Sequence, residues 1–262
     1  MKILAVIPAR YGSQRLPGKV MSKIGDRPMI QWVYEAAKSC ADFEHVVVAT
    51  DNQIVADCVR QFGGEVEMTR SNHTTGTDRV AEVAERYPEM TAVANVQGDQ
   101  PFVTPEILSQ LVSPYLRGES PDMTTVACPL NLDAGYQDPN TVKVLCDRYN
   151  RAIYFSRASI PYFRNPVDGA YKPSNRIRGT APYVPVFHHL GLYAFRQDFL
   201  STYASLEPTP IELAEGLEQL RAIEHGFAIQ VCPIKKALLE VNTFDELLQA
   251  RSLATKIDLS TK

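Results

Sequence analysis

No apolar run in the 262-residue chain approaches the roughly 20 residues that a membrane-crossing helix needs. The opening stretch, Lys2-Ile3-Leu4-Ala5-Val6-Ile7, is too short and wrongly flanked for a signal peptide. Neither sign of charge dominates. There are 27 Lys and Arg against 30 Asp and Glu, for a net charge of −3. No bulk basic field therefore draws the protein to nucleic acid or anionic lipid. Cysteine is scarce: Cys40, Cys58, Cys128, Cys146 and Cys232 are dispersed, odd in number and free of CxxC pairs. That argues against a disulfide framework or a zinc site and for buried thiols in a reducing compartment. Internal repeats and low-complexity linkers are missing too. The expectation is a cytoplasmic protein with no membrane or nucleic-acid partner.

What the chain does have is alternation. Residues 3–7 form a continuous apolar run, as expected of a strand covered on both faces. Helical spacing follows over 29–40, then a strand-like run over 45–50, then a helical face at Ile54, Val55, Cys58, Val59 and Phe62. Strand-like 66–69, helix-like 77–87 and strand-like 92–97 continue the series, and Ile107, Leu108, Leu111, Val112 and Tyr115 mark another helix. Repeated βα units predict a doubly wound α/β fold with a mainly parallel sheet.

The second half changes character, with strand candidates at 123–130, 141–147 and 152–156 and little helix between them. Residues 161–187 carry five prolines and read as a long loop. A strand near 189–195, a helix near 211–225, a strand near 227–234, a helix from about 243 and a tail from about 256 complete the pattern. The expectation is one domain over 1–255 with an inserted smaller β-rich lobe. Its first half spans about 1–122, the lobe about 123–225 and a closing strand and helix about 227–255, with 256–262 as tail.

The loop after the first strand is Pro8-Ala9-Arg10-Tyr11-Gly12-Ser13-Gln14-Arg15-Leu16-Pro17-Gly18-Lys19. In an open α/β sheet, ligands bind beyond the carboxyl ends of the strands. Arg10, Arg15 and Lys19 place three positive charges in ten residues, beside two glycines, which suits a triphosphate. A Walker loop is excluded, because Gly12 and Gly18 are separated by five residues and Val20 follows Lys19. A G-x-G-x-x-G dinucleotide fingerprint is absent. Asp99 closes the Gln97-Gly98-Asp99 turn at the end of the 92–97 strand, a natural place for a Mg²⁺ ligand.

The Pro-Ala-Arg-Tyr and Arg-Leu-Pro-Gly-Lys pattern resembles the sugar nucleotidyltransferases. More narrowly, it resembles the cytidylyltransferases that make CMP-3-deoxy-manno-octulosonate (CMP-Kdo) from CTP. Later landmarks sit at 49–51, 75–79, 95–99, 154–157, 189–191 and 217–221, so the similarity covers roughly 3–250. It implies a nucleotide-diphospho-sugar transferase-like fold, a Mg²⁺ cofactor, release of pyrophosphate, a role in lipopolysaccharide biosynthesis and a homodimer formed through the second-half lobe. Pro8, Ala9, Arg10, Ser13, Lys19, Thr75, Gly76, Thr77, Arg79 and Asp99 then bind nucleotide. Gln97, Arg157, His189, Glu215 and Gln219 bind the sugar acid. Arg10, Arg15, Lys19 and Asp99 carry the catalysis. Thr75 or Thr77 also reads as the cap of the 77–87 helix. On a helix over 211–225, Glu212, Glu215 and Gln219 share a face.

Two departures stand out. Where the resemblance implies a second metal carboxylate, this chain has Asn242, which offers a neutral oxygen to a metal or a cap to the last helix. Where it implies Glu, this chain has Gln100. Glu240 and Asp245 are the nearby acids that can compensate. With the Pro-rich loop, these departures favour slightly the branch acting on 8-amino-3,8-dideoxy-manno-octulosonate over Kdo. Sialic acid is an alternative substrate. A nucleotide-sugar-dependent glycosyltransferase is another reading, but Asp99-Gln100-Pro101 lacks the second acid of an Asp-x-Asp. A non-catalytic nucleotide-binding protein is a third.

Overall fold

A computed structural model describes residues 1–12, 16–131, 135–162 and 186–260. The chain begins with β1 (Ile3–Pro8), a 3-10 helix (Lys19–Met21) and a small hairpin of β2 (Lys23–Ile24) and β3 (Arg27–Pro28). Next come α1 (Met29–Lys38), β4 (His45–Thr50), α2 (Gln53–Gln61), β5 (Val66–Met68), α3 (Gly76–Ala84), β6 (Ala92–Asn95) and α4 (Pro105–Leu116). The second half contains β7 (Met123–Pro129), β8 (Lys143–Cys146), β9 (Ala152–Ser156), β10 (Val186–Arg196), α5 (Gln197–Ser205), α6 (Pro210–Glu215), α7 (Leu220–Glu224), β11 (Ile229–Pro233) and α8 (Phe244–Ser260).

Nine described strands share one sheet, in the order β11-β7-β10-β6-β1-β4-β5, with β8 pairing β10 and β9. β6, β1, β4 and β5 are parallel neighbours, and β11 runs parallel to β7. The long strand β10 is antiparallel to β6, β7 and β8, and so ties the two halves together. The result is a mixed, mostly parallel sheet with flanking helices, as the alternation predicts. The inserted strands join this same sheet, with the β8–β9 pair attached to β10 off its main path.

Period-two geometry explains why both faces are covered. Ile3, Ala5 and Ile7 of β1 enter one apolar cluster, with Ile30, Val33, Val55, Leu108 and Leu111 from α1, α2 and α4. Leu4 and Val6 enter the other, with Val80, Val83, Phe199 and Tyr203 from α3 and α5. Each large apolar side chain so buried contributes roughly 1.5–3 kcal/mol. A third cluster seats α8, through Leu247 and Ala250, on Ile24, Met29 and Val241.

Two expectations are corrected. The helix expected over 211–225 is two helices, α6 and α7, because Gly216 adopts φ 62°, a left-handed conformation that ends α6. α8 runs to Ser260, past the expected start of a tail at 256. The hairpin β2–β3 is too short to show a periodicity, and the helix α5 adds to the expected elements, with Phe199, Leu200 and Tyr203 at helical spacing on its buried face. The cysteines behave as expected: Cys40, Cys128, Cys146 and Cys232 are buried, and all five are unbridged. Burial pushes the Cys146 and Cys232 thiols up to about 12. Among the described residues, no helix is long and apolar enough to cross a membrane.

Candidate active site

The ends of β1 and β6 come together at Gly98. A Cβ there would lie 3.2 Å from the Pro8 carbonyl oxygen, so glycine lets the chain after β6 pass against the loop leaving β1. Asp99 follows at once. Lys19, at the start of the 3-10 helix that closes the loop, donates its Nζ to Asp99 Oδ2 at 2.7 Å. The same ammonium donates to Asn242 Oδ1 at 3.1 Å. Residues 80 and 223 positions away in sequence thus converge on one lysine.

Asn242 does not cap the last helix. Thr243 does: its Oγ1 accepts from the Glu246 N–H at 3.3 Å, and Glu246 Oε2 accepts from the Thr243 N–H at 2.8 Å. This capping box is written in the sequence as Thr-x-x-Glu, and it leaves the Asn242 side chain to Lys19. Arg10 is exposed, while Pro8 and Ala9 form the strand end itself. The Gly18 N–H donates to the Tyr11 carbonyl at 3.1 Å. Ser13 and Arg15 lie outside the described residues, as does most of the 161–187 loop.

Across from the end of β1, Thr75 caps α3, accepting from the Asp78 N–H at 3.1 Å, while Asp78 Oδ2 accepts from the Thr75 N–H at 3.1 Å. The backbone of Gly76 passes beside the Pro8 ring, 3.5 Å from where its Cβ would stand. Thr77 is buried and faces inward, not to the cap. Its hydroxyl donates to Glu218 Oε2 at 3.1 Å and accepts from Asn95 Nδ2 at 3.2 Å. Asn95 Oδ1 in turn accepts from Gln97 Nε2 at 3.0 Å. Arg79 is buried and committed to Asp51, at 3.2 Å, and to Thr69. That ion pair links α3 to the end of β4 and accounts for the guanidinium without a ligand.

From Asp99 a cavity of about 630 Å³ opens toward β10 and α6–α7. Gln97, Asp99, Arg157, His189, Gln219 and Asn242, all expected at the site, line it. His189 is buried; burial, and then the nearby His188, lower its pKa to about 3. The ring is therefore neutral. The Thr125 hydroxyl has one proton, which goes to the Leu192 carbonyl at 2.7 Å, so its oxygen accepts from His189 Nε2 at 3.0 Å. That tautomer leaves Nδ1 as the ring's acceptor. Gln219 Oε1 accepts from the Tyr193 hydroxyl at 2.9 Å, and its buried Nε2 has no partner among the described residues. An orphaned buried donor costs about 1–3 kcal/mol and fits a wall built to meet a hydroxyl-rich ligand.

Glu215 stands behind the wall. Its Oε1 accepts from the Ser156 hydroxyl at 2.6 Å and its Oε2 from the Arg157 N–H at 2.9 Å. With Gly216 breaking the helix, Glu212, Glu215 and Gln219 do not share one face; Glu212 is taken by Arg221 at 2.6 and 2.8 Å. Glu215 braces β9 and thereby positions Arg157, whose Nε donates to the Glu215 carbonyl at 2.8 Å. Lys143 braces the same corner: fully buried, it donates to the carbonyls of Asp138, Thr141 and Arg157 at 2.9, 2.7 and 2.6 Å.

Glu218, Tyr193 and Lys143 are not singled out as site residues by the sequence, whereas Glu240 is named there beside Asp245 as a compensating acid. Charged residues in otherwise apolar surroundings were the available signal. The charge balance is the clearest property of the cavity. Among the described residues, Asp99, Asp138, Glu218, Glu240 and Glu246 line it, against the Arg157 guanidinium and the Lys19 ammonium held by Asp99. Burial, and then the charge of Asp99, push the Glu240 carboxyl above its ordinary range, and burial pushes Glu218 up against its bond from Thr77.

Comparison with known proteins gives the same picture. The chain matches the cytidylyltransferase family over residues 4–235. It is 61% identical over 251 residues to the 3-deoxy-manno-octulosonate cytidylyltransferase of Acaryochloris marina, covering 96% of each chain. It is 49% identical over 256 residues to the protein of that name from Synechococcus elongatus, covering 98% of this chain and 99% of that one. A solved structure of CMP:2-keto-3-deoxy-manno-octonic acid synthetase in complex with CTP superposes with a TM-score of 0.87 and 36% identity, over 98% of this chain and 99% of that chain. The sheet, the order of its motifs and the extent of the match agree, and the chain belongs to the 3-deoxy-manno-octulosonate cytidylyltransferase family.

Proposed function

We propose that this protein transfers the cytidylyl group of CTP to 3-deoxy-manno-octulosonate and releases pyrophosphate. The observation that carries the reading is the Lys19–Asp99 pair, at 2.7 Å, standing at the strand ends where the cavity opens. The cavity's polar wall suits a polyhydroxylated acid. Gln97, Gln219 and neutral His189 offer hydrogen bonds, and Arg157 offers a positive charge to a carboxylate. The names borne by the relatives support the same substrates.

In this reading the anomeric hydroxyl of the sugar acid attacks the α-phosphorus of CTP. The bond from that phosphorus to the bridging oxygen breaks, the electrons leave with pyrophosphate, and the hydroxyl proton is released to water. The protein positions the reactants and neutralises charge, so no covalent intermediate is needed. Lys19 and Arg10 neutralise the phosphates, the role that the resemblance implies for Arg15 as well. Thr75, Gly76 and Thr77 receive the nucleoside.

Magnesium is part of the proposal, and the donors fit it. Asp99 and Asn242 present hard oxygens to one point, and Mg²⁺ needs only one or two carboxylates when phosphates complete its shell. The acid-rich wall gives a second reason, since a triphosphate and a sugar acid meeting there need a compensating cation. When bound, the ion supplies charge neutralisation and Lewis acidity toward phosphate oxygens.

Pyrophosphate release, measured with CTP and Kdo, 8-amino-Kdo or sialic acid in turn, tests the reading. Release with Kdo supports it; CTP binding without release for any acid sugar overturns it. The 8-amino preference has no support in the side chains that suggested it. Gln100 and Asn242 are engaged with Glu240 and Lys19, and most of the 161–187 loop that also suggested it lies outside the described residues. The homodimer belongs to the same proposal, and light scattering checks it.

A further inference from the structure

Gln100 and Asn242 remove two negative charges from the surroundings of Asp99, and a carboxylate stands between the two amides. Gln100 Nε2 donates to Glu240 Oε1 at 3.0 Å, and Asn242 Nδ2 approaches Glu240 Oε2 at 3.5 Å. Both carboxylate oxygens are thus oriented by neighbours that carry no charge of their own. The backbone sets the placement. The Val241 N–H donates to the Asp99 carbonyl at 2.9 Å, and Val241 itself is buried in the cluster under α8. Glu240 and Asn242, on either side of it, both line the cavity with Asp99.

Two further observations point to a cation at this place. The Lys19 ammonium already occupies it, held by Asp99 Oδ2 at 2.7 Å and Asn242 Oδ1 at 3.1 Å. Gln100 is buried, and its Oε1 has no partner among the described residues. The bond to Glu240 fixes which way the amide faces, so that oxygen is left to a donor in the cavity that Gln100 lines. A hydrated Mg²⁺ keeps several waters, and each is a donor. The other acids nearby are otherwise placed. Asp245 is exposed and does not line the cavity. Glu246 Oε2 accepts from the N–H groups of Asn242 and Thr243 at 2.7 and 2.8 Å.

We propose that Glu240 supplies the second carboxylate of the divalent-cation site anchored by Asp99, in place of the acid that the resemblance implies at position 242. The inference rests on the CTP-dependent reading above. It restores one of the two missing negative charges, two residues along the chain from position 242, and keeps two carboxylates at the cation.

The test uses Mn²⁺ as probe. It is titrated into the full chain with saturating CTP and no sugar acid, and protein-held ion is measured by electron paramagnetic resonance, against CTP alone. Glu240→Gln is expected to weaken Mn²⁺ at least tenfold, with metal-free CTP affinity within twofold of wild type. Glu240→Gln/Asn242→Asp is expected to recover the affinity to within threefold, which a purely structural role for Glu240 does not provide. Asp245→Asn is expected to bind as wild type does. Glu240→Gln holding Mn²⁺ as tightly as wild type, while Asp99→Asn loses it, overturns the role of Glu240 and leaves the metal reading standing. Wild-type protein that holds no Mn²⁺ beyond that held by CTP alone overturns both.

Discussion

The Thr77 hydroxyl donates to the Glu218 carboxylate at 3.1 Å, joining the first turn of α3 to the segment between α6 and α7 across 141 residues of sequence. Because the same oxygen accepts from Asn95, and Asn95 from Gln97, one line of bonds runs from the cavity through the α3 turn and back to the cavity. Such chains polarise one another and are sensitive to the loss of one link.

Thr77→Val keeps the shape of the side chain and removes the link. It leaves the Glu218 carboxylate and the Asn95 amide without their partner, a loss of about 1–3 kcal/mol. The expected outcome is a fall of roughly tenfold or more in kcat/KM, which about 1.4 kcal/mol produces. Steady-state kinetics with each substrate varied in turn measures it. Unchanged kinetics would show that the two segments act independently.

Lys19→Ala is expected to lower turnover by about 100-fold or more while the fold persists, since Lys19 is half-buried at the surface of the site and outside the main apolar clusters. Circular dichroism checks the fold, and pyrophosphate release the rate. Turnover near the wild-type value in a folded variant would remove Lys19 from the catalytic set.

His189 predicts a pH dependence of stability. Its folded pKa, lowered to about 3 by burial and by His188, lies well below the ordinary 6.5. Between those values the unfolded chain binds a proton that the folded chain does not, so stability falls as pH drops through that window and is level above it, at about 1.4 kcal/mol per unit. His189→Asn removes this component. Urea unfolding at pH 7.5 and 5.5 should show a pH-induced loss about 1 kcal/mol smaller in the variant. Equal losses in both proteins would mean that the ring titrates normally.

Arg221 and Glu212 form a buried pair, at 2.6 and 2.8 Å, with side chains 7% exposed on each side. Arg221→Met strands the Glu212 carboxylate, and removing one partner of a buried pair costs about 3–5 kcal/mol. The expected result is a lower urea midpoint with an unchanged slope. A midpoint equal to wild type would show that water reaches Glu212.

The parallel half of the sheet was readable because its strands are buried on both faces, so runs such as 3–7 and 45–50 have no polar interruption. The Pro8–Lys19 loop was readable from its place after β1. The region around α6 and α7 was not, because Glu212, Glu215 and Gln219 fit a helical face whether or not Gly216 breaks the helix. Their partners Arg221, Ser156 and Tyr193 decide the matter, and two of those are distant in sequence. The choice between Glu240 and Asp245 had the same obstacle. It depends on the Val241 bond to Asp99, which no local pattern encodes.

The three carbonyl oxygens around Lys143 make the kind of nest in which proteins elsewhere seat a potassium ion. Here the cation is tethered to the chain. It cannot be diluted, exchanged for sodium or lost to dialysis, and burial lowers its pKa without opening it to solvent. The corner that presents Arg157 therefore keeps its shape whatever monovalent salts surround the protein.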